Sequence, residues 1–176
     1  MFTFGIDDNQ SVATLYDEDG GAALTLTTIP LTDIDRFPAT RVIPAPGVSD
    51  DDALKQIAEA LLSFLDMNSF IHIDPSDVLQ ACTSATVHVV RFRAENDANK
   101  AFSDALALQS INPTRCDGAL VNIDAPNDIL LSTASSLVDV VRDAIQPDAQ
   151  IIWGMALDSQ RDDIIVTAIL AKKEEL

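Results

Sequence analysis

Two aspartates stand three residues apart in the stretch FIHIDPSDVL, Phe70 to Leu79: Asp74 and Asp77, separated by Pro75 and Ser76 and preceded by His72. Three readings fit that spacing. Paired carboxylates held out on one short segment can do acid–base chemistry. His72 with the two aspartates also offers an imidazole and carboxylates, a sensible ligand set for a divalent metal, although the sequence supplies neither a fourth ligand nor supporting groups around it. The third reading needs no chemistry. Asp74 is a good N-cap, proline is favoured at the first helical position, and Asp77 at the third can reach back toward the cap. Because an aspartate satisfies the cap in every case, the readings do not exclude one another.

Other reactive side chains carry weaker signals. His88 lies in the alternating segment ATVHVVRFR, where an imidazole is more often a packing residue than a base. Arg91, Arg93 and Arg115 could bind a small anion if the fold brought them together, but solvated strand ends and loops explain them equally well. Cys116 beside Arg115 could have a lowered thiol pKa, yet no base follows at a recognisable place. No Gly-x-Ser-x-Gly elbow is present. Three aspartates, Asp50 to Asp52, could bind a cation, but after Ser49 they fit the first turn of a helix, where the positive end of the dipole favours them.

The balance of charge limits the partners. With 11 Lys and Arg against 28 Asp and Glu, the net charge is -17, which repels phosphate backbones and anionic lipid alike. Neither nucleic acid nor a membrane surface is an expected partner, because the arginines are scattered and form no basic patch. Such an acidic balance also suits a salt-rich cytoplasm. No run approaches the length of a membrane span and the start MFTFGIDDNQ lacks a signal-peptide pattern, so a cytoplasmic location is expected. Two cysteines, Cys82 and Cys116, are too few for a disulfide scaffold and lack metal-ligand spacing. At 47% hydrophobic over 176 residues the chain can bury a sizeable core.

The elements that must position these residues follow from periodicity. Phe2, Phe4 and Ile6 alternate, Asp7-Asp8-Asn9 turns, Val12 to Tyr16 runs apolar, and Ala22 to Ile29 alternates Leu with Thr, which predicts a small antiparallel meander. The connector with Pro30, Pro38, Pro44 and Pro46 reads as irregular. Leu54, Ile57, Ala58, Leu61, Leu62 and Leu65 then form the apolar stripe of a central helix about 24 Å long. Beyond the paired aspartates, Ala85 to Arg93 and Ala119 to Ile123 read as strands, and Asp97 caps a helix running to about Gln109. Ser132 is expected to cap a helix that Pro147 stops. Ile151 to Leu157 and Ile164 to Leu170, joined by Asp158 to Asp163, read as a hairpin. The expected fold class is α/β (α+β): a mixed four-stranded sheet packed with helices, with the N-terminal β meander and the central helix in front of it. Residues 1–48 form the β-rich segment and connector, and residues 49–176 the remaining unit.

The stretches DGALVNIDAPNDILLSTASSLVDVVRDAI and QPDAQIIWGMALDSQRDDIIVTAILA resemble the C-terminal domain of the FtsZ/tubulin-like family, its archaeal forms most of all. Ala53 to Met67 resembles the family's central helix, and FIHIDPSDVL resembles the loop that follows it, which reads Asn-x-Asp-x-x-Asp in the family. The resemblance covers roughly Ser49 to Ala171. Trp153, beside Gly154, fits the family's core pattern. In that family the loop is inserted into the GTP site of the next subunit, where its aspartates help to position water and cation. Those roles fall by resemblance on Asp74 and Asp77. His72 stands where the family has asparagine, and Pro75 is a further departure.

The family binds GTP through a glycine-rich loop, because only glycine lets backbone N–H groups close around phosphates. This chain has six glycines, of which only Gly20 and Gly21 are adjacent, and no glycine-rich phosphate motif. Too few residues precede Ser49 for a nucleotide domain, so no cofactor and no autonomous GTPase activity are expected. The leading expectation is a nucleotide-free FtsZ-like interaction protein, related to cell division or the cytoskeleton. It docks on the GTP face of an FtsZ-type GTPase or self-assembles. The alternative is a small-molecule binding protein or enzyme that reuses the fold, built as an oligomer resembling the trimeric chorismate mutases.

Overall fold

The computed structural model describes residues 2–7, 11–35, 38–65, 69–94 and 97–174. The expected turn at Asp8 and Asn9 and the end of the central helix at Met67 lie outside the described residues. The front of the chain forms β1 (Thr3–Asp7), β2 (Val12–Tyr16) and β3 (Ala22–Thr27), paired antiparallel in sequence order. The alternation of Leu24 and Leu26 with Thr25 and Thr27 thus becomes a meander strand, as its period of two requires.

The connector is not wholly irregular. Between Pro38 and Pro44, β4 (Ala39–Val42) pairs parallel with β3 and with β5 (Ala85–Arg93). The prolines flank the strand rather than interrupt it, so its own N–H groups remain free to bond. The Pro38 carbonyl even accepts from the Thr25 N–H at 2.8 Å. This strand overturns the expectation of a four-stranded sheet. It joins the meander to the rest in one eight-stranded mixed sheet of order β1-β2-β3-β4-β5-β8-β6-β7.

The segment between β4 and β5 holds α1 (Asp50–Phe64) and α2 (Pro75–Cys82), and it is long enough for the crossover that parallel strands need. Ser49 caps α1: its Oγ accepts from the Asp52 N–H at 3.2 Å and donates to the Asp52 carboxylate at 2.7 Å. Asp50 accepts from the Thr28 hydroxyl at 2.7 Å, which ties the helix start to the meander. Leu54, Ile57, Ala58, Leu61 and Phe64 are buried against Leu15, Leu24, Leu26, Val42 and Val87, as the apolar stripe implies. A fully buried leucine contributes about 1.5–3 kcal/mol, so this stripe is a major stabiliser of the layer.

The opposite face of the sheet, formed by β5, β6 (Gly118–Ala125), β7 (Gln150–Leu157) and β8 (Ile165–Lys173), is covered by α3 (Ala98–Leu108), which lies mainly on β5, and α4 (Leu131–Arg142), on β6 and β7. Asp97 caps α3 by accepting from the Lys100 N–H at 2.9 Å. Ser132 does not cap α4. Leu130 holds that position without a side-chain hydrogen bond, and Ser132 lies inside the first turn, its carbonyl accepting from the Ser136 hydroxyl at 2.9 Å. Nor do β7 and β8 form a hairpin: β6 lies between them, parallel to β7 and antiparallel to β8. The loop from Asp158 crosses the end of β6, where the Asp158 N–H donates to the Ala125 carbonyl at 2.9 Å. Its length lets it span that extra strand, which a two-residue turn could not do.

Candidate functional site: the loop before α2

From Phe70 to Asp74 the chain alternates like a strand. Ile71 and Ile73 turn inward, Ile73 into the core beneath α1, while Phe70, His72 and Asp74 face out, with Phe70 66% exposed. Ile71 makes one antiparallel bridge to Met155 on the edge strand β7, its N–H donating at 3.0 Å and its carbonyl accepting at 3.2 Å. Next to that bridge sits Gly154. A Cβ there would come within 2.9 Å of the Ile71 carbonyl oxygen and 3.0 Å of Ile73 Cδ1. The close approach of loop to strand therefore requires glycine at this position.

Asp74 is the N-cap of α2. Its Oδ1 accepts from the Ser76 N–H at 2.8 Å and from the Ser76 hydroxyl at 2.7 Å, and Pro75 occupies the first helical position. The two hydrogen bonds from Ser76 stabilise the ionised form and hold the Asp74 carboxyl below its ordinary value, with nearby His72 adding to the effect. Asp77 does not reach back to the cap. Its backbone N–H donates to the Asp74 carbonyl at 3.0 Å, but its exposed carboxylate makes no hydrogen bond or ion pair among the described residues. The reach back to the cap is made instead by Ser76, whose hydroxyl donates to the Asp74 carboxylate.

The other end of α2 is clasped. Lys173 at the end of β8 donates its ammonium to the Gln80 and Thr83 carbonyls, and the buried Thr40 hydroxyl on β4 donates to the Cys82 carbonyl at 2.8 Å. Desolvation lowers the Lys173 pKa. These groups satisfy carbonyls that a helix C-terminus leaves without partners. Sequence reasoning missed Gly154, Thr40 and Lys173, because each acts on α2 or its loop from a distant strand.

The remaining candidates separate. Among the described residues no group of three or more His, Cys, Asp or Glu side chains is arranged to hold a metal ion, His72, Asp74 and Asp77 included. Arg93 pairs with Asp163 at 2.8 Å, opposite Ile165, whereas Arg115 precedes β6 at the level of Ala171, about 20 Å away along β8. Arg91 lines a cleft of about 400 Å³ with Gln56, Glu59, Ser63, Asp124 and Thr167. The fold thus does not unite the three arginines. Burial pushes the Cys116 thiol up to about 11, with Asp117 adding to the effect, opposite to the lowering that Arg115 suggested. Burial likewise raises Cys82 to about 12, so both thiols stay protonated. His88 is half-buried opposite Leu170, and desolvation lowers its pKa.

The family model for the FtsZ family, C-terminal domain, matches residues 83–173, more than half of the chain. The chain belongs to the FtsZ family. Its similarity to cell division protein FtsZ of Methanothermobacter thermautotrophicus is 24% identity over 125 residues, covering 68% of this chain and 33% of that protein. With FtsZ 1 of Halobacterium salinarum it is 26% over 129 residues, with the same coverage. The chain spans about a third of the length of these FtsZ relatives. Among solved structures, an empty FtsZ dimer of M. jannaschii superposes with a TM-score of 0.55 at 21% identity, covering 74% of this chain and 46% of that one. CetZ of Methanosaeta thermophila gives 0.55 at 12% identity, covering 82% and 45%. These likenesses show the FtsZ fold. The family match begins at Thr83, just after α2, so the loop with Asp74 and Asp77 precedes the matched region. No helix among the described residues is long and apolar enough to cross a membrane.

Proposed function

We propose that this chain is the loop-bearing side of an FtsZ-type subunit junction, presenting Asp74 and Asp77 to the nucleotide face of a partner in a cell-division or cytoskeletal assembly. One observation carries the reading: Asp77 is exposed and has no structural partner among the described residues, on a loop that a strand bridge and Gly154 hold in place. A carboxylate kept on a fixed support, with no capping duty, is suited to meet a group outside the chain. Asp74, ionised at neutral pH and tied up by Ser76, orients the start of the helix, while Asp77 is free to order a water or a cation. The exposed Phe70 supplies an apolar contact beside them. Within these 176 residues no glycine-rich phosphate motif occurs, so the nucleotide at such a junction is the partner's.

The test is GTP turnover and light scattering of FtsZ from the same organism, titrated with this chain and with its Asp74→Ala/Asp77→Ala variant. The expected result is a saturating change in turnover or scattering that the variant reduces. No effect at any ratio, with the chain folded and monodisperse, would refute the junction.

A further inference from the structure

A second polar site lies at the other end of the strands, away from the loop. Arg41 on β4, Thr86 on β5 and Lys172 on β8 are register partners across three adjacent strands, so their side chains project from one face of the sheet. The outer two are about 10 Å apart at Cα, two strand spacings. They line an open cleft of about 660 Å³ with Asp117, Lys173 and Glu174.

Two of the three cations of this cleft, Arg41 and Lys172, have no ion pair among the described residues. Elsewhere Lys100 and Arg142 are each neutralised by an aspartate, and Arg161, whose Nε is likewise buried without an acceptor, still pairs with Asp163 through Nη1. In a chain of net charge -17, carboxylates are plentiful. Yet Arg41 Nε is buried and donates to no acceptor, and Lys172 makes no hydrogen bond or ion pair among the described residues. A buried guanidinium N–H without an acceptor is costly and therefore marks a position where an acceptor belongs. The other lining charges are committed. Lys173 turns its ammonium to the end of α2, and the Asp117 carboxylate accepts from the Lys173 N–H at 3.1 and 3.3 Å. Glu174 accepts from the Thr86 hydroxyl. The cleft therefore already holds one oxyanion at its hydroxyl, without either free cation engaged.

The geometry points to a binding site for a phosphate group on a small soluble ligand. The Arg41 guanidinium fork would take two oxygens, Lys172 would supply a point charge from the far side, and Thr86 would donate a hydroxyl once Glu174 is displaced. Glu174 is the built-in competitor: its carboxylate sits on the same hydroxyl that the ligand would use. This site is independent of the acidic loop, which lies at the other end of α2.

The experiment is an NMR titration of the full chain with inorganic phosphate at constant ionic strength, balanced with sodium chloride. It reads the Arg41 Nε–H and the amides of Thr86 and Lys172. Saturating shifts are expected, weakened at least tenfold in Arg41→Gln and several-fold in Lys172→Gln, and tightened several-fold in Glu174→Gln. Lys172 is exposed, so its variant keeps the test valid if Arg41→Gln does not fold. Shifts that stay linear, that chloride reproduces, or that survive Lys172→Gln unchanged would overturn the site. So would weaker binding in Glu174→Gln, the mark of a purely structural charge ladder. Vesicles containing phosphatidic acid form a last arm: the chain is expected to remain in the supernatant, and Lys172-dependent sedimentation would overturn the soluble source.

Discussion

The two ends of α2 are built to opposite specifications. At its C-terminal end the carbonyls of Gln80, Cys82 and Thr83 receive donors from β4 and β8, and Cys82 is fully buried. At its N-terminal end the carboxylates of Asp74 and Asp77 face solvent, and Asp74 caps the helix by accepting from Ser76 alone. Buried tertiary contacts are thus concentrated at one end of an eight-residue helix and exposed charge at the other. Substitutions along α2 and its supports should accordingly sort into those that unfold the chain and those that silence it.

The largest effect is expected where the two roles meet. Gly154→Ala places a methyl 2.9 Å from the Ile71 carbonyl oxygen, a backbone atom that cannot rotate aside, and against the buried Ile73 side chain. The expected cost is about 1–3 kcal/mol, typical of overpacking, read from urea unfolding, and if the proposed junction holds, the effect on partner turnover should be lost as well. Wild-type stability in this variant would show that the bridge to Met155 is not what positions the loop.

Thr40→Val comes next. It keeps the shape but removes the hydroxyl that reaches the buried Cys82 carbonyl, leaving an acceptor without a donor. A loss of about 1–2 kcal/mol is expected, within the range for an orphaned buried acceptor. If the proposed junction holds, partner turnover by the folded fraction should be unchanged. A variant that folds well yet loses activity would break the division between the two ends.

How far this arrangement can be read from the sequence depends on the reach of each contact. The Asp74 cap acts over two residues and the Ser49 cap over three, so both were legible in local spacing. The alternation of β2, β3 and β5 and the stripe on α1 were legible for the same reason. The clasp was not: Thr40 meets Cys82 across 42 residues, and Lys173 meets Gln80 across 93. Topology failed in the same way. Residues Ile151 to Leu170 look like a hairpin because the strands are neighbours in sequence, but each pairs along its length with β6, which is distant in sequence and lies between them. The proline connector misled by composition, since four proline-free residues were enough for a strand once β3 and β5 flanked it. Even the capping motif was only half right. Its spacing named Asp77 as the reaching residue, while the geometry gave that work to Ser76.

Acid should separate the open end of α2 from the sheet by a smaller margin. His88 has its pKa lowered by desolvation, so the folded chain binds fewer protons than the unfolded one below the unfolded value near 6.5. Its contribution is whole above that pH and is lost as pH falls toward the folded value. Asp74 is also lowered, from 3.8, so its contribution is present above 3.8 and is lost only as pH falls through the folded value. Urea midpoints against pH should show a decline beginning near 6.5 that His88→Gln flattens. A separate step below 3.8 should be reduced by Asp74→Asn, which keeps a good cap but no longer titrates. A midpoint that ignores His88→Gln throughout would remove the imidazole from the account.

The smallest effect on stability is the most informative about function. Asp77→Asn removes charge from an exposed carboxylate that bonds to nothing among the described residues, so the unfolding free energy should move by no more than about 0.5 kcal/mol. If the open end of α2 faces a partner's nucleotide, the same substitution should abolish most of the change in GTP turnover while leaving binding to the polymer in place, because asparagine preserves shape and loses only the charge that orders water or cation. Loss of binding together with turnover would make Asp77 a docking contact rather than a participant in hydrolysis. Stability lost in step with activity would instead return Asp77 to the helix as a dipole-stabilising residue, and the distinction between the two ends of α2 would fall with it.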